Sequence, residues 1–325
     1  MTDTTKKFTS FALKVAILAA ACYFIIHQYN NKGDDIKQFE LLVSRIPQGH
    51  VITIMSVVVI LMVANWSLEA FKWQYLTRHL SKITFWQAIE GVFCGLTWAV
   101  ITPNRFGEYG GRVMYLPPRK RIHGVFAMAV GAFGQNVITN VLGFISMAWF
   151  AFTFLNLNTL MLTGVFVLTC TSIAFFLILY FNIKWLVWLL DRVPFLKQFH
   201  RFFEIMGRYP FGELLTIMYF CLGRFFIFSF QYYLVIHLLV PQIPMYEVLL
   251  MVFIVFFIQS ALPSLDVFDI AVRSAVATEV FSYATDQKMA IVAAFASIWL
   301  INLIFPAIIG IIFTLKIKFF DRSVY

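Results

Sequence analysis

Thr102-Pro103-Asn104-Arg105-Phe106-Gly107-Glu108 interrupts an otherwise apolar run from residue 87 to 117, and Pro263-Ser264-Leu265-Asp266-Val267-Phe268-Asp269 interrupts a second from 247 to 282. A straight helix does not continue through either sequence, because proline removes a ladder hydrogen bond and its ring clashes with the preceding turn. Both runs are also longer than one crossing needs, since about 20 helical residues span roughly 30 Å of hydrocarbon. A helical hairpin is therefore predicted in each run.

Six further apolar segments carry no such break: 9–27, 51–72, 124–154, 159–182, 213–239 and 289–315. The composition agrees with them. Apolar residues make up 61% of the 325 and charged residues 13%, and the mean hydropathy is +0.82. A soluble domain carries about 25% charged residues, so these charges cannot cover a soluble surface. Apolar blocks of helical length, rather than short alternating segments, also argue against a β-barrel. The predicted class is an all-α, polytopic integral membrane protein forming one transmembrane domain over residues 1–325. The N-terminal segment passes for a signal peptide up to Ala19-Ala20-Ala21-Cys22, but Tyr23-Phe24-Ile25-Ile26 continues the apolar run. A retained first helix is predicted.

Charge placement decides how the broken runs lie. If every block crossed once, Arg105, Arg112, Arg119, Lys120 and Arg121 would collect near the outer face, against the positive-inside rule. If both broken runs re-enter the side they came from, the basic connections 73–86, 118–123 and 183–212 and the basic tail all become cytoplasmic. The outer connections 155–158, 240–246 and 283–288 then hold one lysine, Lys288. The 28–50 loop, with Lys32, Lys37 and Arg45 beside Asp34, Asp35 and Glu40, is the exception. Six crossings plus two re-entrant hairpins are thus predicted, as inverted halves over about 9–154 and 159–315. Secondary transporters built this way hold substrate between broken helices near the midplane.

The hairpins also carry the candidate site. Glu108 and Arg112 stand four apart, as do Asp269 and Arg273, so each pair shares a helix face. Charges in hydrocarbon pair or line a wet cavity, because isolation there is costly. Thr102 is a good N-cap and Pro103 suits the first helical position; after Pro263, Ser264 or Asp266 serves the same purpose. The two helix starts would then offer N–H groups to an anion, beside Arg105, Arg112 and Arg273, whose guanidinium forks suit phosphate. Gly107, Gly110 and Gly111 allow close approach of either a headgroup or a neighbouring helix. A latch that merely pins each hairpin is the competing reading of the pairs.

Other polar residues read in two ways. Arg224 and Gln231 are seven apart on one face of 213–239, and Arg224 either snorkels or faces a cavity. Gln135, Asn136, Thr139 and Asn140 form a stripe that interhelical hydrogen bonding would explain. Glu69 and Lys72, flanked by Trp66 and Trp73, are expected at the membrane interface. Segment 184–208, with Trp185, Leu189, Val193, Leu196, Phe199 and Phe203 among basic residues, is expected to lie on the inner leaflet.

Familiar catalytic and cofactor signatures are missing: there is no P-loop, GxSxG, GxGxxG or HExxH. Cys22, Cys94, Cys170 and Cys221 each sit inside an apolar block without CxxC spacing and read as small buried side chains. The net charge of +9 lies in short connections, which marks orientation rather than nucleic-acid binding.

Gly95-Leu96-Thr97 followed by Pro103-Asn104-Arg105-Phe106-Gly107-Glu108 and Arg112 resembles the signature of the lysylphosphatidylglycerol synthase transmembrane-region family, a flippase-like domain. Arg224-Phe225 with Gln231-Tyr232-Tyr233, Pro263 to Arg273, and Trp299-Leu300-Ile301-Asn302 with Pro306 extend the likeness over about residues 10–316. Carried across on matching positions, it implies roles for Pro103, Arg105, Gly107, Glu108, Arg112, Pro263 and Arg273. The family often has glycine where Asn104 stands, and glycines where Leu265, Asp266 and Phe268 stand; Ser274 follows Arg273 where it has glutamate. The sequence given ends at Tyr325 without an aminoacyl-transferase domain, so lysyl transfer is not expected.

The expected function is a transporter or flippase-like protein for an anionic, phosphate-bearing lipid or lipid-linked intermediate in a bacterial inner membrane. The expected substrate-binding set is Pro103, Arg105, Gly107, Glu108, Arg112, Arg224, Gln231, Pro263, Asp266, Asp269 and Arg273, with no catalytic residue, metal or cofactor. The partner is a lipid with an anionic headgroup, and a homo-oligomer or a membrane synthase partner stays open. The rivals are an enzyme subunit acting on a lipid carrier, with Glu108 or Asp269 as base, and a scaffold for a lipid-modifying synthase.

Overall fold

The computed structural model describes residues 41, 44, 46–100, 102, 105–193, 200–261 and 266–316, with only the backbone of 201, 266–271 and 316. Every described element is helical. The order is α1 (Gln48–Thr77), α2 (Phe85–Val100), α3 (Phe106–Val113), α4 (Arg121–Phe154), α5 (Thr159–Phe181), α6 (Ile183–Arg192), α7 (Phe211–Leu239), α8 (Met245–Ala261), α9 (Asp266–Phe281), α10 (Lys288–Trp299) and α11 (Phe305–Lys316). A π-helical turn, Leu300–Ile304, joins the last two. Five stretches are long and apolar enough to cross a membrane: Gln48–Thr77, Pro118–Phe154, Thr159–Phe181, Phe211–Leu239 and Lys288–Leu315. The chain is a multi-pass helical membrane protein. The predicted segment 9–27 lies outside the described residues.

Both broken runs fold as pairs of shorter helices. In the first, α2 and α3 run antiparallel at a separation only glycine permits. A methyl group on Gly95 would lie 2.8 Å from the Glu108 carbonyl oxygen, and one on Gly111 would lie 2.6 Å from the Gly95 backbone. The turn between them is closed by Thr102, whose hydroxyl donates to the Trp98 carbonyl (2.9 Å) and accepts from the Gly107 N–H (2.7 Å). The sequence placed Thr102 at the N-cap; Arg105 occupies that position instead, with φ 57°. A left-handed backbone strains any residue with a Cβ.

The helices pair reciprocally. α1 and α7 pack antiparallel along their length, from Gln231 Nε2 donating to Val58 O (2.8 Å) to Glu213 pairing with Arg78 (2.5 Å) and His79 (2.7 Å). α2 packs on α11, where Thr97 donates to Ala307 O at 2.7 Å, and α8 packs on α4, where Gly143 receives the Phe257 ring. α1 meets α2 as α7 meets α8, α2 meets α3 as α8 meets α9, and α3 meets α4 as α9 meets α10. Exchanging the two halves of the chain leaves this list unchanged.

Irregular backbone recurs in the last span. Pro306 has no N–H to continue the ladder, and there the Phe305 N–H reaches back five residues to Leu300 O. Beyond α5, the expected leaflet helix 184–208 is only partly so. α6 exposes Trp185, Trp188 and Leu189, but Phe203 and Ile205 are buried in the core; Leu196 and Phe199 lie outside the described residues. The turn there tucks under the bundle, as Tyr209 donates to Leu76 O (2.7 Å).

Gly111→Ala should destabilise the protein by about 1–3 kcal/mol, since its new methyl meets only rigid backbone. Gly164→Ala, with nothing within 4 Å, should leave melting unchanged. Thermal unfolding of both in detergent checks the hairpin packing; equal melting would contradict it.

Candidate functional site

A single carboxylate organises the interior. Asn65, Glu69 and Lys72 recur at i, i+4 and i+7 on α1, hence on one face, and all three are buried. Glu69 accepts a hydrogen bond from Arg112 of α3 on one oxygen and from Arg224 of α7 on the other, and pairs with Lys72 at 2.7 Å. Arg224 Nε also donates to Asn65 Oδ1 (3.0 Å), and its guanidinium lies 5.2 Å from the Trp66 ring centre, in cation–π range. Arg112 donates in addition to Glu108, whose other oxygen pairs with Arg105 at 3.3 Å. The result is one ionic chain, Arg105–Glu108–Arg112–Glu69–Arg224, with Lys72 as a branch. Removing a carboxylate from water is costly, and only several well-bonded cations offset that cost.

The chain forms one wall of a cavity of about 760 Å3. The remaining wall comes from Met128 to Thr139 of α4, Phe225 and Phe228 of α7, Phe256 to Ser260 of α8, Arg273 of α9, and Trp299, Asn302 and Leu303 around the π turn. Arg105, just before α3, and Ser260, near the end of α8, both border it. Among the described lining residues, Lys72, Arg105, Arg112, Arg224 and Arg273 border the cavity together with Glu69 and Glu108. Five further polar side chains in the wall carry a buried atom without a hydrogen-bond partner among the described residues: Trp66 Nε1, Gln135 Oε1, Gln259 Nε2, Trp299 Nε1 and Asn302 Oδ1. Among the described residues no group of three His, Cys, Asp or Glu is placed to hold a metal ion.

The residues expected from sequence divide into those that meet here and those that do not. Arg105, Glu108, Arg112, Arg224 and Arg273 line the cavity, as do Gln135, Asn136 and Thr139. Asn140 instead donates to the Asn136 carbonyl at 2.8 Å. Arg224 does not snorkel, because Glu69 and Asn65 hold it inward. Two of the expected residues serve packing. Gly107 lies against the Trp98 backbone, with its N–H spent on Thr102. Gln231 is fully buried between α7 and α1, on the Val58 carbonyl and away from the cavity wall. Pro103 and Pro263 lie outside the described residues, and so do the side chains of Asp266 and Asp269, hence also the expected Asp269–Arg273 pair.

Glu69 and Lys72 overturn the interfacial expectation: both are 4% exposed, and both belong to the ionic chain. The flanking tryptophans suggested an interface, but Trp73 is itself fully buried. The signal that pointed inward was the 65/69/72 spacing, which aligns an amide, an acid and a base on one face of a membrane helix. Compared with family models, curated proteins and solved structures, the chain matches none.

Glu69→Gln should cost about 3–5 kcal/mol, because it leaves buried cations without their carboxylate. Glu108→Gln should cost less, as Glu108 stands nearer solvent (side chain 20% exposed, against 5% for Glu69). Melting of the two variants side by side checks the order, and a more damaging Glu108→Gln would place the centre elsewhere.

Proposed function

We propose that this chain is a transporter or flippase-like protein that binds an anionic, phosphate-bearing lipid and moves its headgroup through the bundle. The observation that carries the reading is the gathering of four arginines and a lysine, Arg105, Arg112, Arg224, Arg273 and Lys72, along one cavity. Arginine presents a planar fork of donors that matches phosphate oxygens. Trp66, Phe133, Phe225, Phe228, Phe256 and Trp299 in the same wall suit the apolar start of a lipid chain. The volume is in the range of a headgroup pocket.

An inverted repeat of six crossings and two re-entrant hairpins is part of this reading. Supporting it are the reciprocal helix pairings, the basic connections on one side, and the rule that non-helical backbone at membrane depth must be buried in protein or line a cavity. Such repeats alternate access by rocking one half against the other around a fixed site. The Glu69 chain spans that division, since Arg112 belongs to the first half and Arg224 to the second. An entering phosphate competes with Glu69 for both arginines. We place the protein, on the motif around Pro103 to Arg112, as a stand-alone relative of the lysylphosphatidylglycerol synthase transmembrane region, in a bacterial inner membrane.

In proteoliposomes, the wild-type protein should accelerate movement of a fluorescent anionic phospholipid between leaflets. Arg112→Lys and Arg224→Lys should slow that movement about tenfold, by keeping charge while losing the two-pronged geometry. Unchanged rates in both variants, with intact melting, would reduce the ionic chain to a structural latch. A covalently altered lipid in the same vesicles, absent with Glu108→Gln, would favour the enzyme reading.

For topology, single cysteines at Arg119 and Asp286, in a background with the native cysteines replaced, should label from opposite faces of oriented vesicles, Arg119 from the cytoplasmic one. Labelling of both from one face would refute the inverted repeat.

A further inference from the structure

The last membrane span, Lys288–Leu315, is one stretch in sequence and two in packing. Before the π turn, α10 lies on α7 and α9. The Phe295 ring centre sits 4.5 Å from that of Tyr232 and 6.4 Å from that of Phe281. After the turn, α11 lies on the first hairpin. Gly310 is pressed so closely on the Phe93 carbonyl that a methyl group there would overlap it. Thr97 donates to Ala307 O at 2.7 Å, Thr314 to Cys94 Sγ at 3.5 Å, and Tyr115, just past α3, to Phe313 O at 3.4 Å. Among the described elements, neither piece makes a substantial contact with the helices that the other packs on.

Between the pieces the backbone ladder is interrupted. The Phe305 N–H is spent on Leu300 O, five residues back, so Ile301 O lacks its usual donor. Pro306 has no N–H to offer Asn302 O. Ladder bonds resist bending, which is why sharp kinks collect at prolines and π turns. α4 takes the same place in the first half, packing on α8 as α11 packs on α2, and it is an unbroken helix of 34 residues. The interruption is therefore a property of one half of the fold. It also falls at the cavity, where Trp299, Asn302 and Leu303 line the wall.

We propose that the π turn is a hinge, about which α11 and the hairpin α2–α3 swing as one body against α7, α9 and α10 to widen or narrow the cavity. The proposal rests on the transporter reading above and adds its moving part. α1, which packs on α2, α7 and the π turn, is the fulcrum. Arg105 and Arg112 travel with the hairpin, while Arg224 and Arg273 stay with the other body, so the swing changes the spacing of the arginines. α11 has 12 residues, a length of about 18 Å. A bend of about 20° at the turn displaces its far end by about 6 Å.

Spin labels at Phe211, Met289 and Leu315, all exposed, test it in lipid nanodiscs by double electron–electron resonance, with the native cysteines replaced. The Phe211–Leu315 pair crosses the hinge and should show two populations about 6 Å apart. Short-chain phosphatidic acid should shift their ratio. The Phe211–Met289 pair lies within one body and should show a single distance. A π turn holds one residue more than an α turn, so deletion of the exposed Leu300 with Pro306→Ala straightens the span. That variant should keep one Phe211–Leu315 distance and slow lipid movement in proteoliposomes by about tenfold or more. Pro306→Ala alone, the milder change, should narrow the distribution in the same sense. A single Phe211–Leu315 distance in the wild type, with and without the lipid, overturns the hinge, and so does normal lipid movement with the span straightened. Two populations indifferent to phosphatidic acid, with no lipid movement by the wild type, keep the hinge and remove the transporter reading.

Discussion

A carboxylate in the interior of a membrane bundle must be matched by cations, and Glu69 is matched by three, from its own helix, from the first hairpin and from α7. Most of the interior follows from that requirement. Arg112 reaches Glu69 only if α3 folds back along α2, and Arg224 reaches it only if α7 lies antiparallel against α1. Each arginine would be as costly to bury as the acid, and the carboxylate that Arg224 of α7 meets stands on α1. In lipid, where helices gain little from burying apolar surface against one another, such a contact specifies which helices meet.

The hairpin that delivers Arg112 depends on very small side chains. Gly95 and Gly111 let two backbones approach within contact distance, and Gly107 brings the start of α3 against the Trp98 carbonyl. Thr102 then joins the end of one helix to the beginning of the next with a single hydroxyl that both donates and accepts. Arg105 holds a left-handed backbone at the tip, a strained conformation that persists where surrounding structure over-determines it. On the far side of the cavity, the π turn before Pro306 brings Trp299 and Asn302 into the wall. Local widening of this kind is frequent at functional sites. Irregular backbone thus gathers around one volume, where its exposed groups find polar company rather than hydrocarbon.

Periodicity and composition in the sequence were enough to determine the helical class, the long spans and the places where two runs must break. They also singled out Arg105, Glu108, Arg112 and Arg273 as charges inside apolar runs, and left Arg224 between the interface and a cavity, because hydrocarbon length and charge cost act along the chain. Which face of a helix turns inward is decided by neighbours distant in sequence. Glu69 and Lys72 looked interfacial beside tryptophans until α3 and α7 supplied their partners. Gln231 shared a face with Arg224, yet one helix passes both a cavity and a packed seam along its length, and Gln231 falls in the seam. Phe203 looked fit for a leaflet, and the turn before α7 carried it into the core. A sequence sets the periodicity of each face; only the tertiary structure decides what that face meets, because the energy of a buried charge or amide depends on partners 43 residues away in the case of Arg112 and Glu69 and 155 in that of Arg224.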